Sequence, residues 1–210
     1  MNVRSFYSAA KAASLCHAGA VLMGNRDKIV EAALHSFTHK GFHQTSMRDI
    51  ALAAGVSVGN LYNHFAGKEA LIDEIAFLEH RFFADFATPL IAEHERPKQA
   101  LSDFISAYYD FVSSPGNVQL SAEIVAEVAR NPVLAEKFSV NQQQLVAALK
   151  QTVVLAQQSG DIEASLNPHE LAQLILDVVE SQAWRQTIFP SREPTRVPPN
   201  QLLEQLIFGQ

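Results

Sequence analysis

Apolar side chains recur at intervals of three and four residues along most of the chain, which is the spacing of one buried helix face. The first run, Ile29 to Phe37, follows Asn25, a residue type suited to a helix N-cap. The second run, Met47 to Ala54, is preceded by Ser46, with Asp49 three residues later in the arrangement of a capping box. No convincing segment alternates apolar and polar residues as a strand would. The pattern predicts an all-α protein.

Glycine and serine separate the first predicted helices. Helix one ends at Gly41, and helix two ends at Gly55, where a left-handed C-terminal residue costs little only for glycine. Ser57 then caps a short helix from about Val58 to Phe65, and Lys68 begins a longer fourth helix. Four helices are therefore expected before residue 90.

Proline divides the rest of the chain. A helix follows Pro97, and the segment 113–117 has the composition of a turn. Asn131 and Asn167 each precede a proline, which is the arrangement of an N-cap followed by the first helical residue. The expected helices are 118–129, a long element 131–160 that Ser139 could interrupt, 167–188 and 201–208.

Composition places the chain among globular proteins of one or two domains. It has 210 residues, of which 48% are hydrophobic and 18% charged, so it can bury a sizeable core. The lone Cys16 cannot form an internal disulfide, and no apolar run reaches the roughly 18 residues that suggest a membrane span. We expect a cytoplasmic protein with no membrane partner.

The first 23 residues form a separate segment. Lys11, Ser14 and His17 interrupt its apolar stretch, which argues against a secretory signal. We expect residues 1–23 to be a poorly ordered arm or a mis-assigned start, with Met23 as an alternative initiator.

Charge is distributed unevenly. Residues 24–70 carry five basic and four acidic side chains, whereas residues 71–210 carry 9 basic and 18 acidic ones, within a total of -6. An acidic total argues against a nucleic-acid partner, because phosphate neutralisation requires Lys and Arg. The near-neutral segment 24–70, called the head below, and the acidic segment 71–210, called the body, instead indicate two different tasks.

The segment from Thr45 to Phe65 has the spacing of a helix-turn-helix. Ala51 is small where two helices cross, Gly55 makes the tight turn, and Leu61 is buried together with Phe65. The outer surface of the short helix then carries Gly59, Asn60, Tyr62, Asn63 and His64. Such a helix can enter a major groove.

The run from Thr45 to Leu71, TSMRDIALAAGVSVGNLYNHFAGKEAL, closely resembles the DNA-binding domain of the tetracycline-repressor (TetR/AcrR) family of bacterial regulators. The shared pattern includes Ile-Ala, Ala-Gly-Val-Ser, Leu-Tyr-x-His-Phe and Lys-Glu-x-Leu. Asn60 stands where Thr is common and Gly67 where Ser or Asn is common. The resemblance implies a DNA-binding domain over residues 24–70 and a helical effector-binding and dimerisation domain over 71–210.

The resemblance also implies which residues contact DNA. Groups that donate to phosphates would be the hydroxyls of Thr45 and Ser46, the side chains of Tyr62 and His64, and the ammonium group of Lys68. The residues nearest the base edges would be Val58, Gly59, Asn60 and Asn63, and Arg48 could contact either a phosphate or a base. The full set is Thr45, Ser46, Arg48, Ser57, Val58, Gly59, Asn60, Tyr62, Asn63, His64 and Lys68.

A homodimer on a palindromic operator is expected, because a single head of net charge +1 would bind weakly. The resemblance places the dimer interface on the two long helices near the C-terminus. Residues that fit either this seam or the intramolecular core are Leu145, Ala148, Leu149, Thr152, Leu171, Leu174, Ile175, Val178 and Trp184.

The resemblance implies that the body binds a small effector, which we expect to be apolar or aromatic, and that this binding releases the protein, a repressor, from DNA. An inward-pointing Glu123 or Glu127 would instead favour a cation, because a buried carboxylate needs a partner. An activator, or an adaptor that binds protein without DNA, is the alternative. Candidate lining residues are Phe82, Phe83, Phe86, Phe104, Tyr108, Tyr109, Phe111, Gln119, Glu123, Glu127 and Trp184.

The sequence contains no HExxH, no glycine-rich phosphate loop and no CxxC. His35 and His39 have a metal-like spacing, but they share a polar face with Lys28 and Glu31. We expect a non-enzyme without metal or cofactor.

Overall fold

The computed structural model describes residues 24–189 and 199–209, and the expectations for residues 1–23 lie outside that range. The described residues form nine α-helices and no strand, which confirms the all-α prediction. No helix among them is long and apolar enough to cross a membrane. The helices are α1 (Asn25–Lys40), α2 (Met47–Ala54), α3 (Val58–His64), α4 (Lys68–Ala92), α5 (Pro97–Val112), α6 (Pro115–Val128), α7 (Pro132–Gln158), α8 (Pro168–Ile188) and α9 (Pro199–Phe208).

Helices α1, α6 and α7 differ from the sequence expectation. The N-cap of α1 is Gly24, whose amide donates to the Asp27 carboxylate at 3.1 Å, so Asn25 is already helical. Helix α6 begins at Pro115, within the expected turn, because the fixed φ of proline suits a first helical residue. Helix α7 continues through Ser139 without a break.

The chain divides into two compact units that do not follow its linear order. The first combines the segment up to Phe82 with Pro115–Ser139, and the second combines Phe83–Ser114 with the segment from Val140 onward. Helix α6 therefore belongs to the same unit as α1, α2 and α3. The functional boundary at residue 70 remains a prediction.

The core of the first unit joins α1, α2, α3 and the start of α4. Leu34, Ile50, Leu61 and Leu71 are each fully buried, and burying such a side chain contributes about 1.5–3 kcal/mol. Helix α3 has only seven residues and would not be stable alone, so its orientation depends on this packing.

The core of the second unit contains most of the residues that fit either a dimer seam or the intramolecular core. Leu145, Ala148, Leu149, Thr152, Leu171 and Ile175 are all buried within one chain. These six positions therefore follow the intramolecular-core alternative. Leu174 is different, since 52% of its surface is exposed on α8, and Val178 and Trp184 are partly exposed.

Candidate functional site

A reciprocal hydrogen-bonded cap fixes the start of α2. The Ser46 hydroxyl accepts from the Asp49 amide at 3.1 Å and donates to the Asp49 carboxylate at 2.6 Å. The same carboxylate accepts the Ser46 amide at 3.0 Å, and these bonds lower the pKa of Asp49. Such a cap contributes about 1 kcal/mol. Ser46 is exposed, but its hydroxyl must leave Asp49 before it can donate to a phosphate.

Thr45 has a structural role. Its side chain is 1% exposed, and its hydroxyl donates toward the carbonyls of Gly41 at 2.8 Å and Ser36 at 3.2 Å. The expectation that this hydroxyl reaches a phosphate is wrong, because the group is enclosed and its proton is used within the fold. It ties the end of α1 to the beginning of α2.

The turn between α2 and α3 is set by Gly55. Its φ of 67° and ψ of 31° lie in the left-handed region that glycine adopts without steric cost. The Val56 amide returns to the Ala51 carbonyl at 3.0 Å, and Ser57 caps α3 by accepting from the Asn60 amide at 3.1 Å. The local signals read from the sequence therefore determine how α3 leaves α2.

Helix α3 presents a polar outer face. Leu61 and Phe65 are buried at 0% and 4% exposure, whereas Tyr62 is 51% and Val58 40% exposed. Gly59, Asn63 and His64 are also exposed. The structure thus brings most predicted base-contacting and phosphate-contacting residues of α3 to one accessible surface.

Asn60 departs from this arrangement. It is only half exposed, and its Oδ1 atom is buried without a hydrogen-bond partner. An unsatisfied buried acceptor costs about 1–3 kcal/mol. A rotation that brings this amide to the surface would remove the cost.

Lys68 supports the loop between α1 and α2. Its ammonium group donates to the Phe42 carbonyl at 2.9 Å and the His43 carbonyl at 3.4 Å, and it lies 4.5 Å from the centre of the Phe42 ring. Two of its three protons are therefore directed into the fold. One proton remains available for a phosphate. Lys68 is therefore still a candidate phosphate contact, and it also stabilises the loop.

Two carboxylates of α6 hold the same loop from the other side. Glu123 accepts the Phe42 amide at 2.9 Å, and Glu127 lies 2.8 Å from the His43 ring and 3.3 Å from Arg130. Sequence reasoning placed both acids in an effector pocket and missed this contact, because its partners are 81 residues apart in the case of Glu123. Their engagement with the loop removes the support for that assignment.

The cavities of the first unit agree with this correction. The space beside Glu123 and Glu127 is about 20 Å³, which holds no more than a water molecule. Gln119, the third polar effector candidate, is exposed and lines a cleft of about 720 Å³ whose other walls include His35 and His39. Those two rings stack at 4.1 Å, and no group of three or more metal-ligating side chains occurs among the described residues.

Unlike the polar candidates, most of the aromatic residues predicted to line an effector pocket contact one another. In the second unit Tyr108 stacks on Phe104 at 5.3 Å, and the Phe86 ring meets Tyr108 edge-on at 5.3 Å. Phe111 lies 5.8 Å from Phe86, so α4 and α5 contribute one continuous cluster. Trp184 is half-buried on α8, and Phe82 belongs to the first unit, where it is buried.

Sequence reasoning missed the polar group beside this cluster. The Tyr108 hydroxyl donates to the Glu180 carboxylate at 2.6 Å, and burial raises the pKa of Glu180. The only sequence signal is position: Glu180 follows the buried residues Leu176 and Val179 on α8, where a solvated acid is not expected.

A capped helix, a left-handed glycine turn and a short helix with an exposed polar face define a helix-turn-helix DNA-binding protein. Comparison with known proteins supports the same class. Residues 29–75 match the family described as bacterial regulatory proteins, tetR family. The HTH-type transcriptional regulator UidR of Escherichia coli K12 is 32% identical over 154 residues, covering 73% of this chain and 76% of that protein. The chain belongs to the tetR family of transcriptional regulators.

Solved structures share the fold over most of the chain. Salmonella enterica GusR superposes with a TM-score of 0.62 at 26% identity, covering 88% of this chain and 94% of that one. FadR from Bacillus subtilis, solved in complex with stearoyl-CoA, superposes with a TM-score of 0.69 at 23% identity, covering 87% and 98%. The second likeness shows the fold alone.

Proposed function

We propose that the protein is a cytoplasmic homodimeric repressor that binds a palindromic operator and is released by a small molecule. The exposed polar face of α3, fixed by the Gly55 turn and the Ser57 cap, carries this proposal. We further propose that the protein acts by binding alone, without catalysis, as its regulator relatives indicate.

Helix α3 supplies the proposed sequence readout. Val58 can contact a thymine methyl group, Asn63 can pair with an adenine edge, and Gly59 lets the backbone approach the bases. Tyr62 and His64 flank these positions with groups that donate to phosphates. The Asn60 amide joins them if it rotates outward.

Operator binding tests this assignment. A fragment from the gene's own upstream region should bind the protein specifically in a fluorescence-anisotropy titration against a scrambled competitor. Tyr62→Ala should weaken binding to all sequences, whereas Asn63→Ala should relax preference at one base position by about 1–3 kcal/mol. Lys150→Ala, an exposed lysine of the second unit, is the control and should bind as the parent does. Absence of any sequence preference would refute the proposal.

Helix α8 supplies the proposed dimer interface, in place of the buried seam. Leu174 is 52% and Ile188 57% exposed, and the partly exposed Val178 and Trp184 lie between them along the helix. Leu174→Glu should shift sedimentation toward the monomer, because it places a charge in an apolar contact. Gln173→Glu changes the neighbouring exposed position and should leave the dimer intact. Equal behaviour of the two variants would exclude this face.

The second unit is the proposed effector-binding region. FadR from Bacillus subtilis was solved with stearoyl-CoA, which shows that a protein of this fold can hold a ligand with a long apolar body. Here the aromatic cluster of α4 and α5 provides apolar surface. An effector must favour a conformation in which two heads no longer match the half-sites. It should lower operator affinity in the titration described above.

A further inference from the structure

Glu180 is a largely buried carboxylate, and none of the described residues gives it a cationic partner. Its contacts are polar but uncharged: the Tyr108 hydroxyl of α5 at 2.6 Å and a hydrogen bond with Gln142 of α7. Within residues 24–189 and 199–209, no Lys, Arg or His nitrogen forms an ion pair with it. Asp177, one turn earlier on α8, adds negative charge and favours the protonated acid. Burial of an ionised carboxylate without a counter-charge is unfavourable.

Aromatic rings surround Tyr108, whose hydroxyl donates to the Glu180 carboxylate. Tyr108 is 1% exposed and contacts Phe104 at 5.3 Å, Phe86 at 5.3 Å and Phe83 at 6.2 Å. Phe86 and Phe111 are only half-buried, so the cluster reaches the surface at one side. Ring faces attract cations through their quadrupole, and a phenol that donates to a carboxylate has a more electron-rich ring. The rings and the acid therefore favour the same class of ligand.

We propose that Glu180 and the cluster of Phe86, Phe104, Tyr108 and Phe111 recognise an organic monocation with an apolar or aromatic body. This inference rests on the proposed effector-responsive function and names the ligand class of that unit. The cation would supply the missing counter-charge, and its body would pack against the rings. A ligand of this kind converts an unfavourable buried acid into an ion pair, so much of its affinity should depend on one carboxylate.

A purely structural role for Glu180 gives different expectations. A protonated acid that only links α5, α7 and α8 would bind no ligand, and glutamine would replace it without consequence for any probe. Recognition of a cation instead requires ionised Glu180. Binding should then weaken as pH falls through its raised pKa, and binding near that pKa should release a proton.

A matched pair of probes separates these cases. Phenyltrimethylammonium and tert-butylbenzene have the same shape and differ by one charge. Trp184 is the single tryptophan of the chain and lies one turn after Glu180 on α8, so its fluorescence reports binding. At pH 8 we expect the cation to bind at least tenfold more tightly than the neutral probe. Glu180→Gln should weaken the cation at least tenfold and leave the neutral probe unchanged, while Glu170→Gln, an exposed acid on the same helix, should change neither.

Calorimetry of the unmodified protein gives a second measurement that does not depend on how the variant folds. The enthalpy of cation binding, measured at a series of pH values below 8, should vary with the ionisation enthalpy of the buffer at the pH values where Glu180 is protonated in the free protein. This variation counts the released proton, and the neutral probe should show none at any pH. Equal affinity for both probes, failure of both to bind, or cation binding without proton release would overturn the inference. Operator binding is measured on the same sample: its retention shows that only the ligand class is wrong, whereas its loss refutes the proposed function itself.

Discussion

Replacing Gly55 and Gly59 separately by alanine tests the geometry of the helix-turn-helix. An added Cβ meets no atom within 4 Å at either position, so neither variant creates a clash inside the protein. The two glycines differ in backbone conformation: Gly55 has a φ of 67°, and Gly59 lies within α3 outside the positive-φ region. Stability should therefore change in opposite directions.

The magnitudes follow from that difference. Alanine in the left-handed region costs roughly 1–2 kcal/mol, so Gly55→Ala should lower the free energy of unfolding by about that amount. Alanine in a helix is more favourable than glycine by about 0.5–1 kcal/mol, so Gly59→Ala should raise it. Urea unfolding followed by far-ultraviolet circular dichroism measures both changes.

Operator binding then separates stability from recognition. If the backbone at Gly59 approaches the bases, its new methyl group should reduce operator affinity about tenfold or more, or about 1.4 kcal/mol, although the head is more stable. Loss of affinity together with a gain in stability would locate the contact at α3. Parental operator affinity in Gly59→Ala would show that this part of α3 does not approach DNA, and a destabilised Gly59→Ala would refute the helical geometry.

Four further outcomes follow from individual contacts. Thr45→Val should lower the free energy of unfolding by about 1–3 kcal/mol in urea titrations, because two carbonyls lose a buried donor, and it should leave the salt dependence of DNA binding unchanged. Glu123→Ala should cost a similar amount by stranding the buried Phe42 amide, whereas Ala at the exposed Glu136 should cost nothing measurable. The raised pKa of Glu180 means that the native state keeps a proton that the unfolded chain loses above its ordinary pKa of 4.5, so this group makes stability fall as pH rises. Glu180→Gln should remove that contribution, and its thermal unfolding between pH 4 and 8 should fall less with pH than that of the parent. Arg48→Ala should reduce the slope of log affinity against log salt by about 1 per protomer if this exposed residue contacts a phosphate; an unchanged slope would remove it from the interface.

Local signals predicted the head more fully than the body. Ser46, Gly55 and Ser57 act within four residues of their own positions, so their roles in capping and turning follow from the sequence. Burial of Thr45 depends on the carbonyl of Ser36 nine residues away, which no local pattern reports. Glu180 and its partner Tyr108 are 72 residues apart, so their pairing follows only from the packing of α5 against α8.

Sequence could not distinguish a dimer seam from intramolecular core for a related reason. Heptad-like apolar positions on α7 and α8 are required equally by an intramolecular core and by a bundle between chains. Leu149 and Leu174 carry the same side chain on neighbouring predicted helices, yet one is fully buried and the other is half exposed. Only the direction of each helix face distinguishes them, and tertiary packing sets that direction.

Internal contacts occupy several of the basic side chains that the head could otherwise offer to phosphates. Arg26 pairs with Glu74 and lies over the Phe65 ring, and Lys40 lies 3.6 Å from Asp49. Lys68 donates two protons to loop carbonyls. Three of the five basic residues of segment 24–70 thus stabilise the helix-turn-helix itself. Phosphate contacts by one head are correspondingly few, and each contributes a salt slope of only about 0.9. Under the proposed function, specific affinity should then come from base contacts by α3 and from joining two heads, so that a variant unable to dimerise through the body should lose most of its operator affinity.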